Sequence, residues 1–342
     1  MNRQTDKIII TNLPSFYKIN LYNRINSKKK LFVIFTGDTA DMRQNDFFNE
    51  EIHFDYVSLM GYSTFLKLFK VFILIHKIKY KEIIICGVNE LTSWLCLVLS
   101  NKHKNSTVIE SSYHESKVSG FRGYLKKIFF KRISLVYASG KSQEKLARLL
   151  NYNGKIIITK GVGIFNIITQ PTYTPSNYVK KFIYVGRLSP EKNLEFIINI
   201  FNKLPDLELH IIGYGPQENI LKSISNKNII YHGAINNKEL ISYYQNCDVF
   251  ILPSIKEPWG LVVEEALNNG LPVLLSNKVG CAEEILEEGK NGYSFVFDSK
   301  ESLLEKIDLI LNIENYNRIK EYISKIDFKK IASNQVNCYL MN

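Results

Sequence analysis

From Lys181 onward one pattern repeats: a short apolar run, a turn, then a stretch in which apolar residues return every three or four positions. It predicts strands at Phe182–Val185, Leu207–Ile212, Ile229–Tyr231, Val249–Leu252, Val273–Leu275 and Tyr293–Val296. Helices are predicted between them at Leu194–Lys203, Gln217–Ser225, Asn237–Asn246, Leu261–Asn269, Ala282–Glu288 and Lys300–Ile313. Nearly continuous apolar strands alternating with amphipathic helices require a parallel sheet covered on both faces, which is a Rossmann-like domain. The first 165 residues alternate in the same way, less cleanly, with strands at Lys7–Thr11, Phe32–Thr36, Ile83–Cys86, Thr107–Glu110 and Leu135–Ala138. Between the two patterns lies IFNIITQPTYTPSNYVK, which has two prolines, three threonines and no periodicity and therefore reads as a linker. The expectation is an α/β chain of two Rossmann-like domains facing a cleft, 1–170 and 171–326, with a terminal helix in 327–342 placed to return to the first domain.

The length, 342 residues, suits two domains, and 45% hydrophobic against 23% charged residues excludes wholesale disorder. The net charge of +11 is unevenly spread: residues 1–170 carry +14 and residues 171–342 carry −3. A cationic first half points to a polyanionic partner, and an anionic membrane suits it better than nucleic acid, because no nucleic-acid-binding module is recognisable. Five cysteines without CxxC spacing indicate neither a disulfide framework nor a zinc site, which fits a reducing cytoplasm. The first residues lack the apolar core of a signal peptide, and no stretch approaches the roughly 20 apolar residues of a spanning helix.

In open α/β sheets ligands sit beyond the carboxyl ends of the strands, so the candidate chemistry is sought there. The strand FIYVG is followed by RLSPEKN, which places Arg187 and Lys192 where a guanidinium fork and an ammonium can clamp a diphosphate. After the strand VFILPS comes Glu257-Pro258-Trp259-Gly260-Leu261-Val262-Val263-Glu264-Glu265. The backbone N–H groups at that helix start can hold phosphate, Glu265 lies about one and a half turns in where a carboxylate suits a ribose diol, and Glu257 meets a second polyol or a developing positive charge.

These motifs resemble glycosyltransferase family 4, retaining enzymes of the GT-B fold, and in particular bacterial O-antigen and capsular polysaccharide glycosyltransferases. The resemblance runs from about Lys181 to Phe297 and rests on VGRLSPEKN, on the turn GYGP at Gly213–Pro216, on ISYYQNCDVFILPS, and on the E-x7-E pair Glu257 and Glu265. It implies that Arg187 and Lys192 neutralise the donor diphosphate, that Gly213, Tyr214 and Gly215 border the donor, and that Glu265 binds the nucleotide ribose. It further implies that Glu257 contacts the transferred sugar, and that the amides of Leu261 and Val262 complete the phosphate site. His114, after the fourth strand, stands near the position of a family histidine facing the donor sugar. Two segments depart from the family pattern: Gly280-Cys281-Ala282-Glu283-Glu284 where many members have Gly-Gly-x-Pro-Glu, and Asn12-Leu13-Pro14-Ser15-Phe16-Tyr17 where a glycine-rich loop is usual.

No Asp-x-Asp occurs, so no pair of that kind is present to hold a divalent ion on the diphosphate, and the expectation is a metal-independent enzyme with no cofactor besides its nucleotide-sugar donor. Phe121–Ile133 reads as a basic amphipathic helix offering Arg122, Lys126, Lys127, Lys131 and Arg132 to an anionic membrane or a lipid-linked acceptor, and Phe65–Lys81 is similar. The leading reading is a cytoplasmic enzyme, peripheral on the inner face of the cell membrane, that transfers a hexose or N-acetylhexosamine from a UDP-sugar to an undecaprenyl-diphosphate-linked saccharide in an α linkage. A GDP-mannose-dependent mannosyltransferase, a UDP-sugar epimerase of the same fold and a non-catalytic nucleotide-sugar-binding partner stand as alternatives. A dehydrogenase is disfavoured because no Gly-x-Gly-x-x-Gly opens a helix after a strand.

Overall fold

The computed structural model describes residues 3–37, 50–113 and 115–341, in two compact units: Met1–Ile164 with Lys330–Asn342, and Phe165–Lys329. The first unit is built on seven parallel strands: Lys7–Thr11, Leu31–Phe35, Asp55–Ser58, Glu82–Ile85, Asn105–Ile109, Leu135–Ala138 and Lys155–Ile158. Numbered in chain order, they lie in the spatial order 3-2-1-4-5-6-7. The second unit has six parallel strands, Lys181–Val185, Glu208–Ile212, Ile229–Gly233, Val249–Leu252, Val273–Ser276 and Gly292–Phe295, in the order 3-2-1-4-5-6. Both sheets therefore reverse direction beside their first strand, which opens a crevice at the carboxyl edge between the loops after strands one and four.

The central strands are apolar throughout because helices cover both faces: every residue of Lys7–Thr11 and of Leu31–Phe35 is buried. Two first-unit strands escape the sequence pattern. Asp55–Ser58 is an edge strand whose residues alternate between exposed and half-buried, and Lys155–Ile158 carries only three isoleucines beside a lysine, so neither presents a long apolar run. The helix expected at Ala282–Glu288 is a single turn, Ala282–Ile285. The Asn291 side chain ends it, accepting from the Glu287 N–H at 2.9 Å and donating to the Ile285 carbonyl at 2.8 Å.

The stretch just past Ile164 is tied to the second unit. Phe165 meets Phe328 edge to face, and the Ile168 backbone exchanges two hydrogen bonds with the Asn268 side chain at 2.9 and 3.3 Å. Residues 165–170, placed by the sequence at the end of the first domain, thus belong to the second, because two prolines and three threonines mark where a linker is irregular and not where its contacts change. From Lys330 on, the helix Phe328–Leu340 belongs to the first unit. There Ala332, Val336 and Tyr339 are buried, and Tyr339 stacks on Tyr137 with ring centroids 4.5 Å apart.

That stack anchors the terminal helix. Tyr339→Ala is expected to lower the unfolding free energy by about 3–5 kcal/mol in urea titrations, whereas Tyr339→Phe, which keeps the ring, should cost about 1 kcal/mol.

Candidate active site

The loop after strand Lys181–Val185 is fixed by its neighbours before it meets any ligand. Its Gly186 N–H donates to the Ile212 carbonyl at 3.0 Å and its Leu188 N–H to the Tyr214 carbonyl at 2.9 Å, while the Tyr184 hydroxyl donates to the Arg187 carbonyl at 2.8 Å. The GYGP turn therefore lies backbone against backbone on the loop that carries Arg187. A Cβ on Gly213 would stand 1.9 Å from the Gly186 carbonyl oxygen, and a Cβ on Gly215 would stand 2.4 Å from that of Leu188. Tyr214 is half-buried between them. The glycines of this motif thus have a packing reason of their own.

A short 3₁₀ turn, Pro190–Lys192, follows. Asn193 closes it in the left-handed region at φ 57° and donates from its side chain to the carbonyls of Pro253 and Phe297, at 3.3 and 3.0 Å. The Ile255 N–H returns a bond to the Glu191 carbonyl at 3.0 Å. These ties bring the loops after the first and fourth strands together, and Lys192 then forms a close ion pair with Glu257, both side chains largely buried. Arg187 stays half-exposed, its guanidinium 4.0 Å from Glu191, and Ser189 holds that carboxylate at 2.6 Å.

Glu257 is set from the other side by the segment after strand Val273–Ser276. The Gly280 N–H donates to the Glu257 carbonyl and the Cys281 N–H to that of Trp259, both at 2.9 Å, and Glu257 forms a parallel bridge with Val279. A Cβ on Gly280 would stand 1.9 Å from the Pro258 carbonyl oxygen, so the first glycine of the altered Gly280–Glu284 segment is required by close approach. Cys281, the departure from the family pattern, is wholly buried with its sulfur 3.8 Å from the Gly260 carbonyl and fills space without disturbing these bonds.

Helix Leu261–Asn268 starts here, with Leu261 and Val262 in its first turn, where N–H groups have no intrahelical acceptor. Glu265 is partly accessible one turn on, and Tyr244 donates to it at 3.3 Å. Burial pushes its carboxyl up to about 7. Glu264, which sequence reasoning passed over, is buried, and the Trp259 indole donates to it at 2.9 Å. Burial drives its carboxyl to about 8, with the Trp259 bond opposing and the Glu265 charge adding. The Glu264–Trp259 bond closes the segment that carries Glu257 onto the helix; only the five-residue spacing between an indole and an acid hinted at it.

Arg187, Lys192, Gly213, Tyr214, Gly215, Glu257, Leu261, Val262 and Glu265 all lie at the carboxyl edge of the second sheet. His114 lies outside the described residues. In the first unit the basic residues are not equivalent. Arg122 and Lys131 are exposed on helix Gly120–Lys131, whereas Lys127 is half-buried and Lys126 is held by the Ser116 hydroxyl at 3.1 Å. Arg132 caps the end of helix Leu91–Leu99, donating to the carbonyls of Leu97 and Ser100 at 2.9 and 3.2 Å, so its charge is engaged within the fold. Exposed aromatic side chains lie on helix Thr64–Lys77, where Phe65 is 77% exposed and Phe69 and Phe72 about half, and at Phe121 and Tyr124. That helix packs on Leu91–Leu99, whose Trp94 in turn meets Phe129 of the basic helix, so the three helices lie side by side. Among the described residues no helix is long and apolar enough to cross a membrane.

Residues 173–326 match the family described as Glycosyl transferases group 1. The chain is 36% identical over 133 residues to the sulfoquinovosyl transferase SQD2 of Arabidopsis thaliana, 38% of this chain and 26% of that protein. It is 31% identical over 227 residues to the O-antigen biosynthesis glycosyltransferase WbnH of Escherichia coli, 64% of each. The matched stretches thus span from about a quarter to under two thirds of those proteins' lengths. Its fold is shared with the solved structure of Anabaena HepE in complex with UDP, at a TM-score of 0.70 and 15% identity over 96% of this chain and 97% of that one. The architecture of two parallel-sheet α/β domains is accordingly the GT-B fold.

Glu264 makes stability depend on pH. Its carboxyl, at about 8 in the folded chain against an ordinary 4.5, keeps a proton that the unfolded chain has lost, so its contribution is fully present below about 4.5 and is lost as pH rises through about 8. Glu264→Gln, which still accepts from Trp259, is expected to be more stable than the parent above pH 8 by roughly 4–5 kcal/mol, with the difference vanishing below about pH 4.5 in thermal melts.

Proposed function

We propose that this chain, whose residues 173–326 are a glycosyl transferase group 1 domain, is a retaining glycosyltransferase of O-antigen or capsule assembly. It moves a hexose or N-acetylhexosamine from a UDP-sugar to an undecaprenyl-diphosphate-linked saccharide and forms an α linkage. The observation that carries this reading is the Lys192–Glu257 pair, held beside Arg187 and the first turn of helix Leu261–Asn268. One cation sits there against a carboxylate in a largely buried setting, and a diphosphate is the anion that draws it away.

On donor binding Lys192 turns from Glu257 to the diphosphate, Arg187 grips it with its fork, and the N–H groups of Leu261 and Val262 face it along the helix dipole. Glu257, released, accepts from the hydroxyls of the transferred sugar, and Glu265 accepts from the ribose diol. His114 is a further residue assigned to orienting the sugar. The bond from the anomeric carbon to the diphosphate oxygen breaks, and the acceptor hydroxyl bonds to that carbon on the face just vacated. Its proton passes to the departing diphosphate. The leaving charge is met by protein cations and backbone dipoles, so the reading assigns no metal ion and no other cofactor.

The enzyme works in the cytoplasm, peripheral on the inner face of the membrane. Phe65, Phe69, Phe72, Phe121 and Tyr124 enter the interface while Lys67, Lys70, Arg122 and Lys131 meet anionic headgroups, and the first domain takes the lipid-linked acceptor.

Glu257→Gln is expected to lower kcat by about 10²-fold or more in a chain that circular dichroism shows still folded, and Lys192→Ala to weaken UDP-sugar binding about tenfold, with EDTA without effect on the parent. The assay follows sugar transfer to a short-tailed lipid diphosphate saccharide by mass spectrometry; near-normal turnover of Glu257→Gln would reject the site.

Replacing Phe65, Phe69 and Phe72 together by Ser should reduce co-sedimentation with anionic vesicles by about tenfold or more while UDP affinity is unchanged. Undiminished vesicle binding would remove this face from the membrane.

A further inference from the structure

At the amino edge of the first sheet, opposite the edge where the strand-end loops gather, the structure holds a hollow of about 440 Å³. Its wall begins with the first residues of four strands, Lys7, Glu82, Leu135 and Lys155, to which Lys29, Lys81, His103 and Lys104 add. Among the residues lining the hollow, five lysines thus converge with two carboxylates, Asp6 and Glu82. Both carboxylates are engaged: Asp6 takes Lys81 at 2.7 Å, and Glu82 takes a close ion pair from Lys7. Tyr137 at 3.0 Å and Ser106 at 2.6 Å also donate to Glu82.

Behind this lining the contacts are polar and fixed. Lys7 is almost wholly buried, yet its ammonium reaches the Tyr137 hydroxyl at 3.5 Å, and the Tyr137 ring stacks on Tyr339. Glu82 balances the buried Lys7, so the field in the hollow is set by the lysines around it, and like charges gathered this closely favour an anion between them. Leu135 is the one aliphatic residue among the described residues lining it, and no Phe, Tyr or Trp is among them. The lining therefore offers a nucleoside base no stacking platform and a lipid no apolar wall.

We propose that this hollow binds a small, soluble, multiply charged phosphate anion with inorganic diphosphate as its simplest member, at a site separate from the one at the carboxyl edge of the second sheet. The proposal does not depend on the transferase reading, since it uses none of that site's residues.

The full chain is titrated calorimetrically with inorganic diphosphate at about 0.1 M salt, where long-range attraction between exposed charges is screened. Three chains are compared: the parent, a pocket triple of Lys29→Gln, Lys104→Gln and Lys155→Gln, and a control triple of Lys203→Gln, Lys227→Gln and Lys300→Gln. The control positions are exposed on the second unit and remove the same net charge. The parent is expected to show a saturable step that weakens by at least about tenfold in the pocket triple and changes by less than about twofold in the control. Diphosphate taken up at the donor site forms a second step that the pocket triple leaves in place. A parent without binding, a pocket triple that keeps the parent's full stoichiometry and affinity, or a control that loses as much would each overturn the proposal. Because all six lysines are exposed or half-exposed, matching thermal melts of the three chains separate loss of binding from loss of fold.

Discussion

The site in the second domain depends on how closely four loops approach one another at the carboxyl edge of a parallel sheet. Parallel pairing brings every strand to the same edge pointing the same way, so the turns after Val185, Ile212, Leu252 and Ser276 all emerge side by side. They are then welded by backbone hydrogen bonds, Gly186 to Ile212, Leu188 to Tyr214, Gly280 to Glu257 and Cys281 to Trp259. Such contacts demand glycine, because a methyl group at residue 213 or 280 would sit on a neighbouring carbonyl oxygen. The loops that carry Lys192 and Glu257 are thereby fixed at the backbone, whatever partner their side chains take.

Charge in this chain is placed in two different ways. Where it is buried, it is paired: Lys192 with Glu257, Lys7 with Glu82, and Lys18 with Glu110 at 3.1 Å. Buried pairs contribute little net stability because desolvation offsets most of their attraction, so their retention points to use or specificity. The acids of helix Leu261–Asn268 illustrate the other outcome of burial. Glu264 and Glu265 have no cationic partner at hydrogen-bond distance among the described residues, each is met by one neutral donor, and both carboxyls are pushed up.

The cationic excess of the first half resolves into distinct places once the chain is folded. Part of it lies beside exposed aromatics on helices Thr64–Lys77 and Gly120–Lys131. Another part rings the amino edge of the sheet, and Arg132 is consumed within the fold as a helix cap. The strong cation read from the first 170 residues is therefore not one surface.

Local pattern was enough to determine the alternating elements, the parallel sheets they imply, the terminal helix, and which second-domain side chains share the carboxyl edge of one sheet, because apolar runs and glycine-bearing turns are properties of neighbouring residues. It missed strands Asp55–Ser58 and Lys155–Ile158, where an edge position or a short run weakens the apolar signal. It assigned residues 165–170 to the wrong side of the boundary, because their partners, Phe328 and Asn268, lie about a hundred residues or more away in sequence. Tertiary structure alone decided that Lys192 faces Glu257, that Trp259 closes on Glu264, and that Cys281 fits where the family pattern has glycine. It also turned the aromatic side of helix Thr64–Lys77 outward while Val71 and Ile75 went into the core. The physical reason is the same in each case: spacing fixes which residues share a helix face or a strand end, but burial and electrostatic pairing belong to groups that meet only when distant segments pack.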